Sequence, residues 1–181
     1  MNPKRAPLWF VLLALVLACG RTADAADTDE TLDFSLPALR DGTPIRLADY
    51  RHKIVYVDVW ASWCAPCLRS MPELETLREK FQGQPFEVVA VSVDGDAAPA
   101  RAFLERVGVH YPVAFDRDGR QLRARILKDA DLAGLPVGLL LDGGGHVRLV
   151  HRGYSPGQSV FLSEHIDTLL AELRVESDTR R

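Results

Sequence analysis

Absences narrow this 181-residue chain before any motif is read. Cysteine is scarce: only Cys19, Cys64 and Cys67 occur. Structural zinc is held by four ligands. His52, His110, His146, His151 and His165 are scattered without ligand spacing, so no metal site and no cofactor are expected. Long apolar runs are lacking too. The N-terminal run over residues 8–18 is eleven residues long, short of the roughly 20 that a bilayer span takes. Basic clusters are missing. Lys and Arg number 22 against 25 Asp and Glu, for a net charge of −3, and no basic run interleaves with aromatics. That argues against a nucleic-acid partner. No internal repeat and no second linker interrupts the body of the chain.

What is present begins with an export signature. Lys4 and Arg5 precede the apolar run, the layout of a signal segment with a basic n-region and an h-region. Two processing points are open. Val16-Leu17-Ala18-Cys19 resembles a bacterial lipobox, which would lipidate Cys19 after a cut at residue 18. Ala23-Asp24-Ala25 resembles an ordinary cleavage site, giving a signal over 1–25. The first is favoured because Cys19 sits directly at the end of the h-region. Either way one dithiol, Cys64 and Cys67, remains. Residues 19–31 are small, polar and acidic and read as a flexible tether. Residues 32–175 suffice for one domain with its own core, and 176–181 read as a disordered tail.

The body alternates strand and helix patterns. Residues 33–37 and 43–47 flank Asp41-Gly42 as a short hairpin. Residues 54–59 are apolar apart from Asp58 and read as a buried strand. Residues 64–81 read as a helix, with Met71, Leu74, Leu77 and Phe81 on one face, Gly83 as stop and Pro72 inside. Residues 86–93 form a second buried strand. A helix opens at Asp96-Ala97-Ala98-Pro99 and ends at Gly108. A short strand over 111–115, a weak helix over 122–132, a hairpin around Asp142-Gly143-Gly144-Gly145 and an amphipathic helix over 159–173 complete the chain. Crossovers demand parallel pairing and hairpins antiparallel. The expected fold is α/β, a mixed central sheet with helices on both faces and an N-terminal β-hairpin extension.

The run Trp60-Ala61-Ser62-Trp63-Cys64-Ala65-Pro66-Cys67 joins the buried strand to the helix. Cys64 at a helix N-terminus meets free N–H groups and the positive end of the dipole, which favour a thiolate. The thiolate is the nucleophile of disulfide exchange. Cys67, one turn on, is placed to resolve the mixed disulfide. A permanent structural bridge is the other reading, but so short a ring constrains little chain.

These residues resemble the thioredoxin superfamily, most closely its TlpA/ResA-like, AhpC/TSA-related branch of envelope proteins. Asp58-Val59-Trp60-Ala61-Ser62-Trp63-Cys64-Ala65-Pro66-Cys67 matches the active-site block. Pro72 matches the helix-kinking proline, and Gly134-Leu135-Pro136 the segment with the cis-proline. Residues 142–147 match the following hairpin, and Gly153 the glycine after it. The resemblance implies a thioredoxin-like fold and thiol:disulfide oxidoreductase activity through Cys64 and Cys67. It implies that Asp58 is a buried acid that relays protons. It also implies that cis-Pro136 packs at the disulfide, with Leu135 offering main-chain groups to an extended substrate. Trp63 adjoins the nucleophile and is expected to touch substrate, whereas Trp60 is expected in the core.

Departures from the family pattern shape the rest. Ala90 stands where thioredoxin has a lysine near the acid. Gly95 stands where ResA-like relatives place a glutamate. Asp94 and Asp96 flank it, and turn or cap roles fit them better than assistance to the dithiol. Pro66 offers no N–H and Ala65 no charge. The expected potential is therefore nearer thioredoxin's, about −270 mV, than DsbA's, about −120 mV. The expected partners are protein disulfides and an envelope or membrane electron donor, with a lipid anchor at Cys19 and a monomeric chain. A thiol peroxidase of the AhpC/TSA type is one alternative, opposed by Trp63 and the second cysteine. A redox-inert binding module is another, opposed by intact Cys64, Cys67 and Pro136.

Overall fold

The computed structural model describes residues 31–125 and 134–179. The signal segment, Cys19, most of the tether and most of the weak helix over 122–132 lie outside the described residues. The described chain opens on a two-stranded antiparallel sheet, β1 (Ser35–Pro37) and β2 (Pro44–Arg46). Asp41 Oδ1 closes its turn by accepting from Thr43 N–H at 2.9 Å and Thr43 Oγ1 at 2.7 Å. Leu32, Phe34 and Leu36 are buried while the residues between them are exposed, so this segment lays one face on the core.

The central sheet is built from β3 (Ile54–Trp60), β4 (Phe86–Ser92), β5 (Val113–Phe115), β6 (Val137–Leu141) and β7 (Val147–Arg152), in the order β5-β4-β3-β6-β7. β3, β4 and β5 run parallel, and β6 and β7 run antiparallel to their neighbours. Every residue of β3 is buried. That explains its unbroken apolar pattern, since a strand covered on both faces needs no alternation. The outer edge at β5 is engaged by the N-terminal segment, through the Ala38–Ala114 bridge and Leu39 N–H to Val113 O at 2.7 Å.

Among the described residues, four α-helices flank the sheet: α1 (Cys67–Lys80), α2 (Ala97–Val107), α3 (Arg120–Arg125) and α4 (Gln158–Thr179). Asp96 caps α2 by accepting from Ala98 N–H, and Gly108 ends it at φ 72°, a left-handed turn that glycine takes without steric cost. α4 continues through Glu176, Ser177 and Asp178 to Thr179, so residues 176–179 of the expected tail prolong the helix. Its apolar stripe stops earlier, at Leu173, and the last turn carries polar contacts such as Ser177 Oγ to Arg174 O at 2.7 Å.

Candidate active site

The dithiol sits where β3 ends. Cys64 and Cys67 are joined by a disulfide with their Cα atoms 5.3 Å apart. Cys64 is 4% exposed and Cys67 is 0% exposed, while the neighbouring Trp63 is 63% exposed. The Trp63 ring is thus open to solvent, Cys64 only marginally so, and Cys67 is sealed.

α1 begins at Cys67, not at Cys64 as the periodicity predicts. Residues 61–66 form turns held by Cys64 N–H to Ala61 O at 3.0 Å and Cys67 N–H to Cys64 O at 3.1 Å. Pro66 already has helical angles, and its carbonyl accepts from Arg69 N–H and Ser70 N–H. Cys67 N–H also lies 3.2 Å from Cys64 Sγ and donates to it. The sulfur therefore accepts from the first N–H of α1, one of the donors that a helix start leaves free. That geometry favours a Cys64 thiolate once the bridge opens.

Asp58 lies on β3, six residues before Cys64. It is 1% exposed, and its Oδ2 has no hydrogen-bond partner among the described residues. Burial pushes its carboxyl up to about 7. The register explains the absence of a compensating charge: Asp58 lies between Ala90 on β4 and Gly138 on β6. Tyr56, two residues earlier on the same face, lays its hydroxyl over Gly138, where any Cβ would collide with it. Tyr111 closes the far side, with its hydroxyl 3.5 Å from Met71 O of α1. Burial first, and then the Asp58 charge, raise both tyrosines above their ordinary value. They stay protonated around the acid.

A second buried carboxylate belongs to Asp94, one of the two acids for which the sequence favours a turn or cap role over assistance to the dithiol. It clamps the active-site loop. Ser62 N–H donates to its two oxygens at 3.2 and 3.0 Å, and Ser62 Oγ to Oδ1 at 2.6 Å. Ser92 Oγ donates to Oδ2 at 2.8 Å. An acid closing an apolar strand was the available signal; its partner Ser62, 32 residues away, was not. Asp96 is the cap of α2 and does not join the dithiol.

The Leu135–Pro136 bond is cis. Val59 pairs with Val137, so Pro136 lies level with Trp60, at the end of the sheet that carries the dithiol. Both Leu135 and Pro136 are buried, and among the described residues no hydrogen bond engages the Leu135 main chain. Trp60 is fully buried and stacks on Phe103 at 4.8 Å, a core residue as expected. A cavity of about 630 Å³ lined by His52, Asp142, His146 and Glu172 lies at the opposite pole, away from this chemistry.

The Redoxin family matches residues 26–164. The chain belongs to the Redoxin family. Within it, the thiol-disulfide oxidoreductase ResA of Geobacillus thermodenitrificans is 32% identical over 168 residues, covering 88% of this chain and 92% of the relative. ResA of Bacillus subtilis is 30% identical over 151 residues, covering 79% and 82%. Among solved structures, a proposed thiol:disulfide interchange protein DsbE of Chlorobium tepidum superposes with a TM-score of 0.70 at 36% identity, covering 78% of this chain and 96% of that one. This redoxin has a thioredoxin-like fold, and with its Cys64–Cys67 pair it is a thiol-disulfide oxidoreductase of the ResA/DsbE type.

Proposed function

We propose that this redoxin reduces disulfides of protein clients outside the cytosol. The observation that carries the reading is the gradient at the dithiol, exposed Trp63, marginally exposed Cys64 and sealed Cys67, together with a buried Asp58 on the same strand-to-helix segment whose Oδ2 has no partner among the described residues. Cys64 thiolate attacks one client sulfur, and the other client sulfur leaves and takes a proton. Cys67, its proton passed to Asp58, then attacks Cys64 Sγ. The second client thiol is released and the Cys64–Cys67 bridge closes. Two electrons move from the dithiol to the client. An acid poised near neutral pH suits this transfer, because it can both accept and return the proton.

Trp63, Leu135 and Pro136 form the client platform in this reading. The Leu135 main chain pairs with an extended segment, as an added strand would. Apocytochrome c awaiting haem and proteins awaiting copper are the client candidates that the resemblance brings. Ala65 and Pro66 add no charge to the pair, which favours reduction over primary oxidation. The signal segment supports placement on the outer side of the inner membrane, with Cys19 as a lipid anchor and a membrane or envelope donor returning electrons.

The test is insulin reduction by the pre-reduced protein. The expected result is turnover that Cys64→Ser abolishes; activity surviving in Cys64→Ser overturns the reading. Equilibration with glutathione separates the direction. A potential near thioredoxin's supports a reductant, and one near DsbA's, about −120 mV, overturns that direction. Cys67→Ser is expected to hold clients as mixed disulfides on Cys64. Loss of palmitate labelling in Cys19→Ala is the expected sign of the anchor.

A further inference from the structure

The dithiol helix and the cis-proline loop are far apart in sequence yet are linked through the side chain of Tyr154. Glu73 lies on α1, six residues beyond Cys67. Tyr154 follows Gly153, whose N–H donates to Pro136 O at 2.8 Å. The Tyr154 hydroxyl donates to Glu73 Oε1 at 2.6 Å, across 81 residues of sequence. The Arg69 guanidinium, two residues past Cys67, lies 5.3 Å from the centre of the Tyr154 ring. Glu73 Oε2 is buried and has no partner among the described residues, so the carboxylate is held through the Tyr154 contact alone.

We propose that Tyr154 and Glu73 are positioning residues that tie the Pro136 loop to the dithiol helix and so make this protein selective for extended protein segments over small disulfides. The inference rests on the client platform assigned above to Leu135 and Pro136. Strand pairing of β6 with β3 fixes the chain just after Pro136. Gly153 fixes the Pro136 carbonyl. The Tyr154–Glu73 bond joins that assembly to the helix that carries Cys67, and thereby sets the gap between the Leu135 main chain and Cys64. A hydroxyl-to-carboxylate bond of this length belongs to the strong, charge-assisted class. The same bond raises the Tyr154 hydroxyl above its ordinary value, which keeps it a donor. An extended client must span the gap. A small disulfide needs only the exposed edge of Cys64.

The test compares two substrates on the full-length protein: a peptide disulfide such as insulin, and oxidised glutathione. Tyr154→Phe keeps the ring and its Arg69 contact and removes only the donor. It is expected to raise KM for insulin about tenfold, the scale of one lost charge-assisted hydrogen bond. kcat on insulin, the rate with glutathione and the redox potential are expected to stay unchanged. Glu73→Gln retains an acceptor but not its charge and is expected to fall between wild type and Tyr154→Phe, whereas Glu73→Leu is expected to match Tyr154→Phe. Equal losses on both substrates, or no loss on either, overturn the tie as a selectivity device. A wild type that reduces glutathione and not insulin overturns the assigned client class, and this inference with it.

Discussion

Asp58 lies within β3 and Asp94 two residues past the end of the neighbouring β4, and the two are buried to almost the same degree, at 1% and 3% exposure. Their surroundings differ. Asp94 gathers the Ser62 N–H, the Ser62 hydroxyl and the Ser92 hydroxyl. Asp58 has Ala90 and Gly138 as its strand neighbours, and among the described residues its Oδ2 accepts no hydrogen bond. A buried charge is tolerated when hydrogen bonds replace its water. Asp94 meets that condition and holds the loop that presents Trp63 and Cys64. Asp58 does not, so its carboxyl rises to about 7 and becomes able to exchange a proton at neutral pH. Equal burial gives a clamp in one case and a candidate proton carrier in the other, and partner supply decides between them.

Substitutions at the two acids are expected to move stability in opposite directions. Asp58→Asn removes the cost of ionising a buried acid. Between an unfolded value of 3.8 and a folded value of about 7, the native state holds a proton that the unfolded chain has lost. Wild-type stability therefore falls as pH rises through this window and levels off above it. The substitution is expected to stabilise the oxidised protein by up to about 4 kcal/mol at pH 8 and by little at pH 4. Urea unfolding at the two pH values checks this, and equal shifts would break the contrast. Asp94→Ala strands the Ser62 and Ser92 donors and is expected to destabilise by about 2–3 kcal/mol, read by the same unfolding curves. Asp96→Ala sharpens the comparison at its weak end. That carboxylate is exposed and accepts one bond, from Ala98 N–H at 2.8 Å, so its loss is expected to cost about 1 kcal/mol, seen as a small fall in the urea midpoint.

Local pattern carried much of this architecture in advance. The apolar stretch of β3, the stop at Gly108, the cap at Asp96 and the hairpin after β6 are written in neighbouring residues, and neighbouring residues are what periodicity and capping report. Cys64, Cys67 and Asp58 were visible as a dithiol and a lone acid in apolar company. The start of α1 was not, because residues 61–66 close in turns before it and its N-cap, Pro66, makes no side-chain cap bond. The Asp94–Ser62 clamp and the Tyr154–Glu73 tie were hidden for a different reason. Each joins residues brought together only by the fold, 32 and 81 positions apart. Gly138 offered a faint signal, since a glycine inside a buried strand often marks a close approach. Here it is the Tyr56 hydroxyl that approaches.

The most direct measurement is the pH dependence of the resolving step. A mixed disulfide is formed between Cys64 and a thiol peptide, and the rate at which Cys67 releases it is followed from pH 5 to 9. In the wild type the rate is expected to rise through an inflection near 7, where Asp58 becomes able to take the Cys67 proton. In Asp58→Asn that inflection is expected to vanish and the neutral-pH rate to fall about 100-fold, the scale of a lost general base. A profile in Asp58→Asn that superposes on the wild type would contradict the assignment of Asp58 as the proton acceptor.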